Sequence, residues 1–166
     1  MDYLPELGSH VLTLRRYGGP LSFWEKLKRG GGGSGKVVYE TGVPEFDRYR
    51  VSSPEEEIFV TLEHLQAGVV MWMQKHLRVA GLAFSLDELT ELTLALDTRA
   101  VFPPGLPLRE AARKKTYPAY LFIRLDNGTQ IRLRVIKAHF RQVFKFLTAE
   151  PLGHHLEVIR YERADF

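Results

Sequence analysis

Residues Tyr120 to Ile136 read YLFIRLDNGTQIRLRVI, two alternating runs broken by Asp126-Asn127-Gly128. Asn-Gly between such runs is a strong signal for a β-hairpin. Loop length then selects the register. A two-residue loop would pair Phe122 with Leu133 and Ile123 with Arg132, mixing apolar and charged side chains on both faces. A three-residue loop pairs Leu125 with Thr129, Ile123 with Ile131 and Leu121 with Leu133, leaving one face apolar and the other polar. A slip of one residue turns every side chain over, so burial selects the three-residue loop. Gly128 then takes the left-handed position of a type I turn with a G1 bulge.

The other face of that hairpin carries Tyr120 opposite Arg134, Phe122 opposite Arg132, and Arg124 beside Gln130. Aromatics interleaved with arginines on an open sheet suit the stacking of nucleic-acid bases. They suit equally well cross-strand packing of arginine stems on aromatic rings. With Arg113, Lys114 and Lys115 just upstream, these residues form the candidate anion or nucleic-acid site: Arg113, Lys114, Lys115, Tyr120, Phe122, Arg124, Arg132 and Arg134. The segment Pro107 to Leu147 holds 10 basic and 2 acidic residues, whereas Glu40 to Asp97 holds 11 acidic and 4 basic. Either the two halves pack together and neutralise each other, or a basic surface meets an anionic partner.

Hydrophobic periodicity fills in the rest. His10 to Tyr17 and Phe46 to Ser52 alternate and read as strands, as do Lys36 to Thr41, Leu82 to Leu86, Leu92 to Asp97 and Leu156 to Tyr161. Ser53, Pro54 and the glutamates Glu55, Glu56 and Glu57 read as a helix start. Ile58, Leu62, Leu65, Val69, Met73 and Leu77 then recur at three- and four-residue intervals, predicting one long helix to about Arg78, with His64 on its solvated side. Leu108 to Tyr117 reads as a short helix or a basic loop. Phe140, Val143, Phe144 and Leu147 form the stripe of a helix over His139 to Thr148. The expected fold is α+β: a single domain over residues 1–166, with a mainly antiparallel sheet packed by one long central helix and a C-terminal helix.

Gly30-Gly31-Gly32-Gly33-Ser34-Gly35 interrupts this domain. Natural loops seldom take this composition, because each glycine adds backbone entropy that folding must remove. The run reads as an engineered linker replacing a deleted segment. Leu21 to Arg29 before it (LSFWEKLKR) reads as a helix ending in Lys26, Lys28 and Arg29. Cations suit the C-terminal end of a helix dipole. An aromatic followed by cations also suits a chain about to enter a bilayer from the cytoplasmic side. The candidate membrane-proximal residues are therefore Trp24, Lys26, Lys28, Arg29 and Lys36.

The pieces Phe46-Asp47-Arg48-Tyr49-Arg50-Val51-Ser52, a helix from Pro54, Leu82-Ala83-Phe84-Ser85, Leu92-Thr93-Leu94-Ala95-Leu96 and Phe102-Pro103-Pro104 resemble uncharacterised bacterial membrane proteins in which two adjacent spans precede a soluble α+β domain. The resemblance covers residues 46–104. It departs where Ser52-Ser53-Pro54 replaces an acidic pair, and the basic hairpin has no counterpart. The family brings no activity and no functional residue with it. What it implies is a two-span hairpin whose ends lie on one side of the membrane, a gap that a six-residue linker can close.

The chain has no cysteine, which excludes disulfides, thiolate metal sites and cysteine nucleophiles. Met1 to Gly8 lacks the apolar run of a signal peptide, and no apolar run reaches the length of a membrane span. No phosphate-binding glycine loop, HExxH or Gly-x-Ser-x-Gly is present. His154-His155 could bind a metal with a third ligand, but adjacent histidines in a polar turn are more often solvated, and Asp87, Glu88 and Glu91 surround an exposed turn without a mark of perturbed titration. No catalytic residue, metal site or cofactor is expected. The expected function is a non-enzymatic interaction or assembly module on the cytoplasmic face of an inner membrane, with a protein partner. A nucleic-acid or anionic-ligand binding domain, or an enzyme of unreadable class, are the alternatives, and the oligomeric state is left open.

Overall fold

The computed structural model describes residues 1–4, 10–29, 33–51, 56–75, 78–97 and 104–161. Nine strands form one sheet in the order β1-β5-β4-β3-β2-β8-β7-β6-β9. They are β1 (Asp2–Leu4), β2 (Gly33–Thr41), β3 (Ile58–His64), β4 (Gly68–Lys75), β5 (Arg78–Ser85), β6 (Leu89–Asp97), β7 (Ala119–Leu125), β8 (Gln130–Val135) and β9 (Leu156–Tyr161). Two antiparallel meanders, β2 to β5 and β6 to β8, join where β2 pairs with β8. The parallel pairing of β9 with β6 makes the sheet mixed. The helices are short: α1 (His10–Arg15), α2 (Phe23–Lys28), α3 (Pro44–Val51), α4 (Leu108–Lys114) and α5 (Phe140–Thr148).

The hairpin takes the three-residue register. Ile123 pairs with Ile131, Leu121 with Leu133, Phe122 with Arg132 and Tyr120 with Arg134. Leu125 N–H donates to the Thr129 carbonyl (2.9 Å) and Gly128 adopts φ +85°. On the inner face Leu121, Ile123, Ile131 and Leu133 are fully buried.

The long central helix does not exist. Residues 58–75 form β3 and β4, joined by a turn in which Leu65 N–H donates to the Gly68 carbonyl. Ile58, Val60, Leu62 and His64 are buried on one face of β3, and they meet Val69, Met71 and Met73 of β4 across the ladder. The same residues satisfy a period of 3.6 and a period of 2. β-Branched side chains and the flanking strands β2 and β5, which satisfy both backbone edges, favour the strand. The expected fold class therefore fails on its central element, while its C-terminal helix is present as α5.

Two smaller segments reverse the other way. His10–Arg15 is helical: Leu14 and Tyr17, one turn apart, pack with Leu4, Leu65, Val70 and Ala83 in a second core on the outer face of the sheet. Pro44–Val51 is also helical: Pro44 starts it, and Phe46 and Tyr49, three residues apart, pack on the core from one face. Phe46 sits edge-on to Tyr39 (5.4 Å) and Tyr3 (6.2 Å). Lys36 to Thr41, Leu82 to Leu86, Leu92 to Asp97, Leu108 onward and Leu156 to Tyr161 take the element types expected of them. The Ser53 cap, residues 30–32, His76, Leu77 and Phe102-Pro103 lie outside the described residues.

The inner face is buried from β3 to β6, and on β9 at Leu156. Nine strands laid flat would span about 40 Å, and α5, about 14 Å long, covers only part of that. α5 packs against β2 with its Phe140, Val143, Phe144, Phe146 and Leu147 turned inward, and Phe46 of α3, Ala111 and Ala112 of α4 and Leu152 cover more of the same core.

Candidate functional site

The outer face of β7 and β8 carries the aromatic and arginine residues anticipated from the alternation. Tyr161 of β9 completes an aromatic cluster, its ring 5.1 Å from Tyr120 and 6.5 Å from Phe122. A cavity of about 510 Å³ opens beside it, lined in part by Thr93, Phe122, Arg124, Arg132 and Tyr161. The arginines are engaged. Arg132 pairs with Glu40 at 2.7 Å, Arg134 pairs with Glu40 (3.7 Å) and Glu57, and Arg124 pairs with Glu91 at 3.2 Å. Three glutamates from the acidic half thus balance three arginines from the basic half. Motif reading missed Glu40 and gave Glu57 and Glu91 other roles; the opposed charge of the two halves was the signal for these pairings.

Arg113, Lys114 and Lys115 stand apart from this face. They lie at the C-terminal end of α4, whose Ala111 and Ala112 belong to the inner core. The candidate anion site therefore divides into two surfaces on opposite sides of the sheet. Lys114 pairs with Glu110 one turn back at 3.0 Å. Arg113 instead faces a groove of about 720 Å³ between α4 and α5, with Arg109, Arg141 and Lys145 around it and Ala112 and Phe144 at its base. Arg109, Arg141 and Lys145 extend the candidate set.

The membrane-proximal candidates divide as well. α2 has a capping box: Ser22 Oγ accepts from Glu25 N–H while Ser22 N–H donates to the Glu25 carboxylate at 2.8 Å. Hydrogen bonds from the Ser22 hydroxyl and the Ser22 backbone N–H hold the Glu25 carboxyl below its usual range. None of the helix's residues is buried. Phe23, Trp24 and Leu27, on one helical face, are 71%, 70% and 62% exposed. Arg29 anchors the end of the helix by donating to the Leu65 carbonyl at 3.2 Å. Lys28 and Arg29 line a cavity of about 730 Å³ with Lys145, Thr148 and Glu150. Lys26 is half-buried on α2. Lys36 belongs to β2 and lines a separate small cavity with Thr61 and Trp72.

Residues of the glycine-serine run are part of the fold. Gly33 pairs with Glu63, and the register shifts before Lys36 pairs with Thr61. Ser34 is fully buried; its hydroxyl accepts from Leu62 N–H at 3.0 Å and donates to the Gly35 carbonyl at 2.8 Å. Gly35 adopts φ +72°.

Displaced titrations mark structural contacts. Burial lowers His64 to about 4, opposed by its hydrogen bond to the Phe146 carbonyl and helped by the nearby Arg29 charge. This corrects the solvated placement expected for His64, which is 3% exposed. Burial and a hydrogen bond with Tyr49 raise Tyr3 to about 12. Burial and a hydrogen bond to Asp2 raise Tyr17. Burial would raise Glu88, but hydrogen bonds from the N-terminal ammonium and Ser85 bring it below its usual range. None of these groups lines the three larger cavities. Among the described residues, no group of three His, Asp or Glu side chains is placed to hold a metal ion, and His154 pairs with Glu150 at 3.5 Å. No helix among them is long and apolar enough to cross a membrane, which leaves strands unaddressed. No family model, no curated protein and no solved structure matches the chain, so the family reading of residues 46–104 rests on the sequence resemblance alone.

Proposed function

We propose that this chain is a non-enzymatic interaction or assembly module that works on the surface of a membrane, as the extramembrane part of a small protein whose two-span hairpin stood where the glycine-serine run now passes. The observation that carries this reading is α2. Its capped, exposed helix presents Phe23, Trp24 and Leu27 to solvent. Lys26, Lys28 and Arg29 lie around them, and the glycine run follows at once. Aromatic residues and cations at this spacing belong at the headgroup level of a bilayer, on its cytoplasmic side. Removing the three apolar side chains from water is worth about 5 kcal/mol before association costs. That is comparable to a single weak lipid anchor, so α2 acts together with a second attachment.

Nucleic-acid binding on the outer face is the weaker reading, because Glu40, Glu57 and Glu91 already occupy the arginines it would use. The membrane reading is tested by co-sedimentation with vesicles rich in phosphatidylglycerol, following tryptophan emission. Binding with a blue shift that is lost in F23S/W24S/L27S supports it. A chain that stays in the supernatant at low salt sinks it. So does a natural counterpart without roughly 40 apolar residues between Arg29 and Lys36.

A further inference from the structure

We infer that the groove between α4 and α5 is the second attachment, a seat for anionic phospholipid headgroups that sets how the domain lies on the bilayer. The inference rests on the membrane reading of α2 and goes beyond it.

The groove has cations on both walls, Arg109 and Arg113 from α4 and Arg141 and Lys145 from α5. Arg113, Arg141 and Lys145 are exposed. Arg109 donates to the Gly153 carbonyl at 3.3 Å, a bond that leaves its charge unneutralised. The acidic residue of the groove, Glu110, is paired with Lys114. The contrast with the outer face is informative. There each arginine has a glutamate, whereas here no ion pair joins these four cations to an acid among the described residues. Guanidinium groups fork onto phosphate oxygens, and a groove with an apolar base of Ala112 and Phe144 suits a headgroup with its glycerol attached.

Position decides between a lipid and an acidic protein segment. Lys145 and Thr148 line both this groove and the cavity that holds Lys28 and Arg29. The cations therefore form one tract, from Arg109 across α5 to the end of α2, where Phe23, Trp24 and Leu27 are exposed. Glu110 and Glu150 are acids on this tract; Glu110 is paired with Lys114, and His154 stands 3.5 Å from Glu150. The tract ends on the helix that carries the exposed aromatic face, so charge and apolar surface adjoin as a bilayer surface requires. The charge of an acidic peptide accounts for the cations of the tract but not for the aromatic face.

The test uses the full chain and its exposed-site variant R113Q/R141Q, with circular dichroism to show that the fold is kept. Two surface cations near an anionic bilayer account for about a 30-fold change in affinity. R113Q/R141Q should therefore bind phosphatidylglycerol vesicles about 30-fold more weakly, with a shallower salt dependence. F23S/W24S/L27S should lose binding altogether. If R113Q/R141Q binds those vesicles like the parent while F23S/W24S/L27S does not, the groove is not the seat and the membrane reading stands. If the parent binds no vesicle, both fall. If R113Q/R141Q loses binding to poly-glutamate but keeps vesicle binding, the groove serves an acidic protein segment and the inference is overturned.

Discussion

His64 stacks its imidazole on the ring of Phe146, centroids 4.0 Å apart, and its Nε2 donates to the backbone carbonyl of the same residue at 3.1 Å. One residue of α5 thus satisfies both the polar edge and the apolar face of a buried histidine on β3. The contact joins the helix to the first meander and fixes the tautomer with the proton on Nε2.

The contact carries a pH dependence. The folded pKa is about 4, against about 6.5 in an unfolded chain. Between these values the unfolded state takes up a proton that the folded state refuses, so stability falls as pH falls through this window. From pH 7.5 to 5 the loss due to His64 is about 2 kcal/mol. Urea unfolding at both pH values should show this difference between the parent and His64→Leu. Equal slopes for the two proteins would refute the assignment.

The apolar face of α2 is exposed and buries nothing against the domain. F23S/W24S/L27S should keep the parent's unfolding midpoint within about 0.5 kcal/mol, as surface changes do. A loss well beyond that would mean the helix packs on the domain and is not presented outward.

Glutamates, not geometry, keep the outer face neutral. Glu40→Gln with Glu57→Gln removes the Glu40 and Glu57 partners of Arg134 and the Glu40 partner of Arg132, at a cost of about 1 kcal/mol for part-exposed pairs. The variant should gain binding to single-stranded oligonucleotides with a steep salt dependence, while the parent shows none at physiological ionic strength. Tight binding by the parent would restore the nucleic-acid reading.

Gly35 tests whether the glycine-serine run is a tether or a strand. Its φ is +72°, and a Cβ there would stand 2.4 Å from Gln142 Oε1 and 3.2 Å from His139 Nδ1. Gly35→Ala should cost about 1–2 kcal/mol. Gly33→Ala, with nothing nearer than 3.4 Å, should cost less than about 0.5 kcal/mol. Thermal melts that fail to separate the two variants would show that the run is only a tether.

Local chemistry made part of this molecule legible from its residues. Asn127-Gly128 and a strict alternation determine the register of β7 and β8, because only one register buries Leu121, Ile123, Ile131 and Leu133 together. The 3.6 spacing of Phe140, Val143, Phe144 and Leu147 determines α5 in the same way. The opposed charges of the two halves foreshadowed their pairing. Residues 58–75 were not legible, since Ile58, Leu62, Val69 and Met73 fit a helix and a strand alike. What decided between them was the presence of β2 and β5 on either side, which a one-dimensional pattern does not contain. The site followed the same division. Composition marked Arg113 and the cations before the glycine run, but only the packing of α4 against α5 separated them from the hairpin arginines. Which cations meet a glutamate and which face solvent is a matter of distance between segments far apart in the chain, and the tertiary structure alone sets that distance.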